Sequence, residues 1–271
     1  DTFINQLSFP QDSMVYFWGK YQRSSELPFY YIFTWMFLSI PILYIFLFFI
    51  GFFICIFEIK NKILSPHNYD LIFILLYLLL PLLAIIIMKP NLFNGWRHFY
   101  FLNLSIIYFA VLAIQNIINL SVGGKIKNIF LILLFVNFTN IILWMTVNHP
   151  YQHVYFNYIG KKYSTNFDLD YWGLSNLNAL KYIANLENNE SSKINVKAIG
   201  DSRIIYAYKI LGSNFKEKIT IMKRDDQTDA DYYITNFHNG NKKDYYIKKG
   251  FKIVHEFKVD NFSINTIMKN N

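Results

Sequence analysis

The chain has 271 residues, a formal net charge of +8 and a hydrophobic fraction of 54%. That length accommodates a small helical bundle plus one domain of roughly a hundred residues. The single cysteine, Cys55, excludes an internal disulfide framework and a thiolate metal cluster, and no dense Lys/Arg run interleaved with aromatics points to nucleic acid as a partner.

Residues 1–29 are polar and loop-like, with Met14, Val15, Phe17 and Trp18 close to Lys20 and Arg23. This mixture suits a segment lying at a membrane interface. The chain opens at Asp1 without an initiator Met or a signal sequence, so the expectation is an internal start, the C-terminal part of a longer protein.

Four apolar stretches follow, at about 30–57, 71–88, 99–120 and 129–147, and none contains Asp, Glu, Lys or Arg. A run of about 18 or more apolar residues is long enough to cross a bilayer as a helix. Pro41 and Pro81 lie inside the first two stretches, where prolines are tolerated if neighbours re-satisfy the freed carbonyls. The polar residues Asn103, Gln115, Asn116, Asn119, Asn137 and Asn140 are expected to bond across helices. The loops between spans one and two and between three and four carry Lys60, Lys62, Lys125 and Lys127. By the positive-inside tendency those loops are cytoplasmic, which puts residues 1–29, the loop at 89–98 and the tail on the extracytoplasmic face.

After His149 the composition turns to that of an ordinary soluble domain, with 18 Lys and Arg against 13 Asp and Glu. Ser175 is a plausible N-cap for a helix over 176–186, with Leu177, Leu180, Ile183 and Ala184 on one face. Residues 194–199 read as a strand ending at Gly200-Asp201-Ser202, a plain turn rather than a dinucleotide fingerprint. A helix over 203–211, short strands at 219–222 and 232–235, and a hairpin of 251–258 and 262–268 around Asp260-Asn261 complete the pattern. Strand-helix-strand order predicts a partly parallel sheet with an antiparallel edge. The fold expected is a membrane all-α bundle of about four transmembrane helices (30–148), preceded by an interfacial loop (1–29) and followed by a small extramembrane α/β domain (149–271).

Three segments carry chemistry. Asn94-Gly-Trp-Arg-His-Phe sets Arg97 and His98 at headgroup level beside Trp96 and a flexible Gly95. There a guanidinium can pair bidentately with phosphate and a neighbouring His can add a hydrogen bond. The plainer alternative is an Arg snorkelling to lipid headgroups beside a belt tryptophan. Trp18-Gly-Lys-Tyr and Ser25-Glu-Leu-Pro-Phe-Tyr-Tyr place Lys20 and Glu26 on the same membrane face. A carboxylate there can bind a sugar hydroxyl or act as a base, and the alternative is a helix-start contact near Pro28. The stretch His149-Pro-Tyr-Gln-His-Val-Tyr-Phe-Asn to Asp170-Tyr-Trp-Gly-Leu-Ser invites a metal reading through His149 and His153. Pro150 argues against one helix carrying both, no third ligand is evident, and an aromatic collar seating the tail on the membrane fits better.

In this order the three segments resemble the C-terminal half of bacterial GT-C glycosyltransferases of the protein O-mannosyltransferase and aminoarabinose-transferase type (glycosyltransferase family 39-like). The resemblance covers roughly residues 15–186. It implies transfer of a sugar from a polyprenyl-phosphate donor to a protein, lipid or glycan acceptor on the extracytoplasmic face of the cell inner membrane, without metal or cofactor. It also implies Arg97 and His98 as phosphate contacts, with Lys20 and Glu26 assisting, and a catalytic acid upstream of these residues. A fragment lacking that acid is expected to be inactive alone. The competing expectation is a non-catalytic anchored protein whose tail recognises a partner or envelope component. A transporter is disfavoured, because the spans carry no mid-membrane charge.

Overall fold

The computed structural model describes residues 12–61, 66–119, 124–186, 193–199, 203–223, 225–226, 228–238 and 243–270. The turn at Gly200-Asp201-Ser202, together with Lys62, Ser65 and Gly123, lies outside the described residues. The chain forms two compact units that do not follow chain order. The first holds residues up to Ser13, Arg23–Val147 and Phe156–Lys161; the second holds Met14–Gln22, Asn148–Tyr155 and Lys162 onward.

The first unit is helical: α1 (Tyr31–Ser39), α2 (Ile42–Asn61), α3 (Pro66–Met88), α4 (Asn103–Asn119) and α5 (Gly124–Val147). Among the described residues, four helical stretches, 42–61, 68–88, 97–119 and 124–147, are long and apolar enough to cross a membrane. At 1.5 Å per residue, 20 residues reach about 30 Å, the thickness of a bilayer's hydrocarbon core.

The stretch at 30–57 is not one helix. Pro41 offers no amide proton, Ile40 adopts an extended conformation (φ −93°, ψ 138°), and the helix breaks there. The freed carbonyls are satisfied from 117 residues further along the chain: Asn157 Nδ2 donates to Phe37 O (2.6 Å) and Ile40 O (2.8 Å). The Asn157 amide adds a bond to Leu38 O at 2.8 Å. Its Oδ1 accepts from the Ile159 and Gly160 amides, which holds the carboxamide in this orientation. Pro81, by contrast, stays within α3.

α2 and α4 pass close to each other at Gly51, where a Cβ would stand 1.7 Å from the Phe109 carbonyl oxygen. A small residue at that point lets two apolar helices touch backbone to backbone. Leu47, Cys55, Leu71, Leu78, Leu102, Phe109 and Ala113 form the buried seams around it. α5 buries no residue of its own, as suits a helix apolar on every face. Asn116 Nδ2 bonds Leu112 O one turn back in its own helix rather than a neighbouring helix, because a carboxamide can reach the i−4 carbonyl.

In the second unit, β1 (Met14–Phe17) and β2 (Lys20–Arg23, whose last residue belongs to the first unit) form a hairpin. The two-residue turn Trp18-Gly19 has positive φ at both positions (51° and 74°), the geometry that matches strand twist. The main sheet runs β4-β3-β5-β7-β6, from β3 (Ile194–Ala198), β4 (Ile219–Ile221), β5 (Tyr232–Thr235), β6 (Lys252–Val259) and β7 (Phe262–Lys269). β3 pairs in parallel with β4 and β5, while β5–β7 and β6–β7 are antiparallel. The partly parallel sheet with an antiparallel edge is therefore present. α6 (Ser175–Leu186) buries Ala179, Leu180, Ile183 and Ala184 against Val196, Ile234 and Ile267. Ile204 and Ala207 of α7 (Ile204–Ile210) join the same core, and α8 (Ser213–Lys216) and α9 (Lys243–Lys248) complete the unit.

Candidate functional site

The loop carrying Arg97 is pinned, not flexible. Asn94 and Gly95 both take positive φ (57° and 74°), a reversal that glycine and asparagine adopt at least cost. The Gly95 amide donates to the Tyr31 hydroxyl at 3.1 Å, and the Trp96 indole N–H donates to Ser39 Oγ at 2.9 Å. Ser39 Oγ in turn donates to Trp35 O at 2.6 Å. α1, cut short by Pro41, thus supplies the anchor. Trp96 is buried, so it is not an exposed belt residue, because its indole N–H has a fixed partner inside the fold.

Arg97 and His98 open a short 3₁₀ segment, Arg97–Leu102, ahead of α4. The guanidinium carbon lies 5.0 Å from the centroid of the Phe93 ring, within cation–π range. Arg97 Nε donates to His98 Nε2 at 3.3 Å, and the His98 ring meets Phe93 edge-on with centroids 5.1 Å apart. The two residues form one oriented pair on this pinned loop, Arg97 half-buried and His98 exposed, with the guanidinium as the cation and the imidazole as its acceptor.

Glu26 ends the short turn Ser24–Glu26. Asp12 holds that turn, accepting from Ser24 Oγ (3.0 Å), the Ser25 amide (3.2 Å) and Ser25 Oγ (3.1 Å). The Ser25 amide bond is the main reason the Asp12 carboxyl sits below the ordinary carboxylate range, with the serine hydroxyls and Arg23 adding to it. Glu26 lines a cleft of about 260 Å³ with Ser24, Ser25, Pro28, Ile85, Lys89 and Leu92. The loop after α3 therefore comes to the Glu26 segment. Lys89, not singled out in the sequence, brings a cation to the carboxylate's cleft and has a left-handed backbone (φ 46°). Its position just before Pro90 at a helix end was the only signal. Arg97 and His98 are outside the lining of this cleft but belong to the same unit and the same loop. Lys20 is exposed at the start of β2 in the other unit and does not line the cleft.

The histidines of the third segment are not brought together. His149 Nδ1 meets Gln152 Nε2 at 3.0 Å on the surface, whereas His153 Nε2 meets Asp170 Oδ1 at 2.9 Å. Among the described residues no three His, Cys, Asp or Glu side chains group as metal ligands. The stretch is also largely interior rather than an exposed collar. Tyr151, Val154, Phe167, Leu169 and Tyr171 are buried, with Tyr158 and Trp172 exposed. The reason is Asp170, fully buried and accepting from the Leu174 amide (3.0 Å), the Ser175 amide (2.8 Å) and the Ser175 hydroxyl. Asp170, not Ser175, supplies the side-chain acceptor at the start of α6. Ser175 Oγ then accepts from Asn265 Nδ2 at 2.9 Å, and Asn236 Nδ2 donates to Asp170 O at 2.6 Å. Ser175 donates to an aspartate rather than to a histidine, so these three groups are not a nucleophile–base pair but a buried structural clamp.

Searches against protein-family models, curated proteins and solved structures find no match to this chain.

Proposed function

We propose that the chain is part of a membrane glycosyltransferase that moves a sugar from a polyprenyl-phosphate donor to an acceptor on the extracytoplasmic face. The observation that carries the reading is one loop, residues 89–98, which brings Lys89 to the cleft of Glu26 and fixes Arg97 with His98 on a rigid support. As the glycosidic bond breaks, negative charge grows on the departing polyprenyl phosphate. A preorganised guanidinium stabilises that charge more in the transition state than in the ground state. Lys89 adds a second cation, and Glu26 accepts a hydrogen bond from a sugar or acceptor hydroxyl. The proposal does not need Lys20, and it assigns no catalytic base among these residues.

The test is sugar transfer in membranes containing the full-length enzyme of which the chain is proposed to be part, with a panel of polyprenyl-phosphate sugars. Arg97→Ala is expected to lower transfer by about 100-fold, the order lost when one oxyanion donor is removed. Membrane insertion should be unchanged, and Arg97→Lys should recover part of the activity. Full activity in Arg97→Ala would overturn the role. No transfer with any donor would favour a non-catalytic anchored binding protein.

A further inference from the structure

Five lysines, Lys242, Lys243, Lys248, Lys249 and Lys252, crowd into residues 242–252 against one acid, Asp244. Residues 239–242, which lie outside the described residues, read Asn239-Gly-Asn-Lys and add no acid. The rest of the run is firmly held. After α9, Gly250 takes φ 95°, its amide donates to Ile247 O at 3.0 Å, and the Phe251 amide donates to Tyr246 O at 3.1 Å. That is a Schellman closure, and its apolar contact is present, with the Phe251 and Tyr246 rings edge-on at 5.6 Å. Phe251 also meets Tyr233 of β5 at 4.9 Å, so both rings turn into the buried cluster around Tyr233 and Met268.

What is left outside mixes charge with apolar surface. Tyr245 and Ile247, on either side of Tyr246 in the chain, are 52% and 42% exposed, and Ile253 at the start of β6 is 37% exposed. Lys248, Lys249 and Lys252 are exposed as well, and the Lys249 ammonium stands 4.7 Å from the centroid of the Tyr245 ring. Helix energetics explains part of this. Cations at a helix C-terminus meet its free carbonyls favourably, which accounts for Lys248 and Lys249. Lys242 and Lys243 stand at the opposite end, where the dipole opposes them, so helix stability gives no reason for them. Nucleic acid is a poor match, because two of the run's three rings point inward and leave Tyr245 alone for stacking. A bilayer with anionic headgroups matches both parts of the surface. Its phosphates answer a cluster of about four to eight cations, and its interface accepts a tyrosine and isoleucines between them. A unit joined at Asn148 to a helix long enough to cross a bilayer meets that surface at high effective concentration.

We propose that the face formed by α9 and the start of β6 docks on anionic phospholipid, at the surface of the bilayer that the apolar helices cross. The proposal rests on those helices crossing a bilayer and not on sugar transfer, so the two can fail separately. The test uses the full chain in nanodiscs of phosphatidylcholine and in nanodiscs of phosphatidylcholine mixed with phosphatidylglycerol. A nitroxide on Ile247→Cys reports the contact, since the native Cys55 is buried. In the mixture its collisions with oxygen should rise and those with a water-soluble nickel chelate should fall. In phosphatidylcholine alone it should stay open to nickel. Lys248→Gln together with Lys249→Gln should lower the docking equilibrium about 25-fold, about fivefold for each cation near an anionic surface. Amide exchange over residues 243–249 of the unlabelled chain should slow in the mixture and not in phosphatidylcholine, which guards against disturbance by the label. Nickel access equal in the two discs, or docking that survives the double substitution, would overturn the proposal. Protection given by added polyglutamate but not by phosphatidylglycerol would assign the face to an acidic protein and overturn the bilayer as its occupant.

Discussion

At the scale of single residues, the carboxylates Asp170 and Asp12 do different work, and burial separates them. Asp170 is wholly enclosed and answers four donors, including His153 and both the amide and hydroxyl of Ser175. Removing such a group strands its donors away from water, so Asp170→Ala should cost about 3–5 kcal/mol of stability in the sheet-containing unit. Amide exchange along α6 reads this directly, and unchanged protection would show that the clamp does not hold the helix. Asp12 lies at the surface, where its depressed pKa follows chiefly from the Ser25 amide. A depressed carboxylate contributes order above its ordinary pKa of 3.8 and loses it as pH falls through the lower folded value. The Ser25 amide should therefore keep its protection at pH 5 and lose it, relative to the intrinsic exchange rate at each pH, only below about pH 3.8. Protection that does not change down to about pH 2 would remove Asp12 from the support of Glu26. Neither role was legible in the sequence, where the 149–175 stretch invited a metal reading through His149 and His153 and gave no sign of the Asp170 clamp, because spacing is visible and burial is not.

Among the elements, the two prolines show where sequence reading stops. Pro41 and Pro81 both lie in long apolar runs, yet only Pro41 ends a helix. The difference lies with Asn157, whose carboxamide occupies the carbonyls the break releases. A partner 117 residues away leaves no local signature. Asn157→Leu keeps the side chain's size but strands the Phe37 and Ile40 carbonyls, at about 1–3 kcal/mol for each. Thermal unfolding in detergent should show a lowered midpoint for the helical unit, and a midpoint equal to that of the parent chain would contradict this account of the break. The hairpin at Trp18-Gly19 was missed for a related reason. Tryptophan is an unusual residue for positive φ, and it is held there by edge-on and tilted packing against Tyr163 and Phe167. Where periodicity and turn chemistry act locally, sequence and structure agree closely: α6, β3, β5 and the hairpin around Asp260-Asn261 fall within a residue or two of expectation.

For the whole molecule, composition alone separates helices of membrane length from a small α/β unit, because apolar runs of that length have few other uses. What composition does not give is the interleaving of the two units along the chain, in which 14–22 joins the sheet-containing unit and 156–161 the helical one. The functional reading depends on sidedness. Lys89, Arg97 and the sheet-containing unit must lie on the extracytoplasmic face, with Lys60 opposite. The native Cys55 is buried and gives little background to thiol labelling, so single cysteines at Lys89, Thr165 and Lys60, all exposed positions, report sidedness one at a time. In intact cells a membrane-impermeant maleimide should label Lys89→Cys and Thr165→Cys and leave Lys60→Cys unlabelled until the membrane is opened. Labelling of Lys60→Cys from outside, with Lys89→Cys and Thr165→Cys protected, would place the Arg97 loop in the cytoplasm and contradict the account.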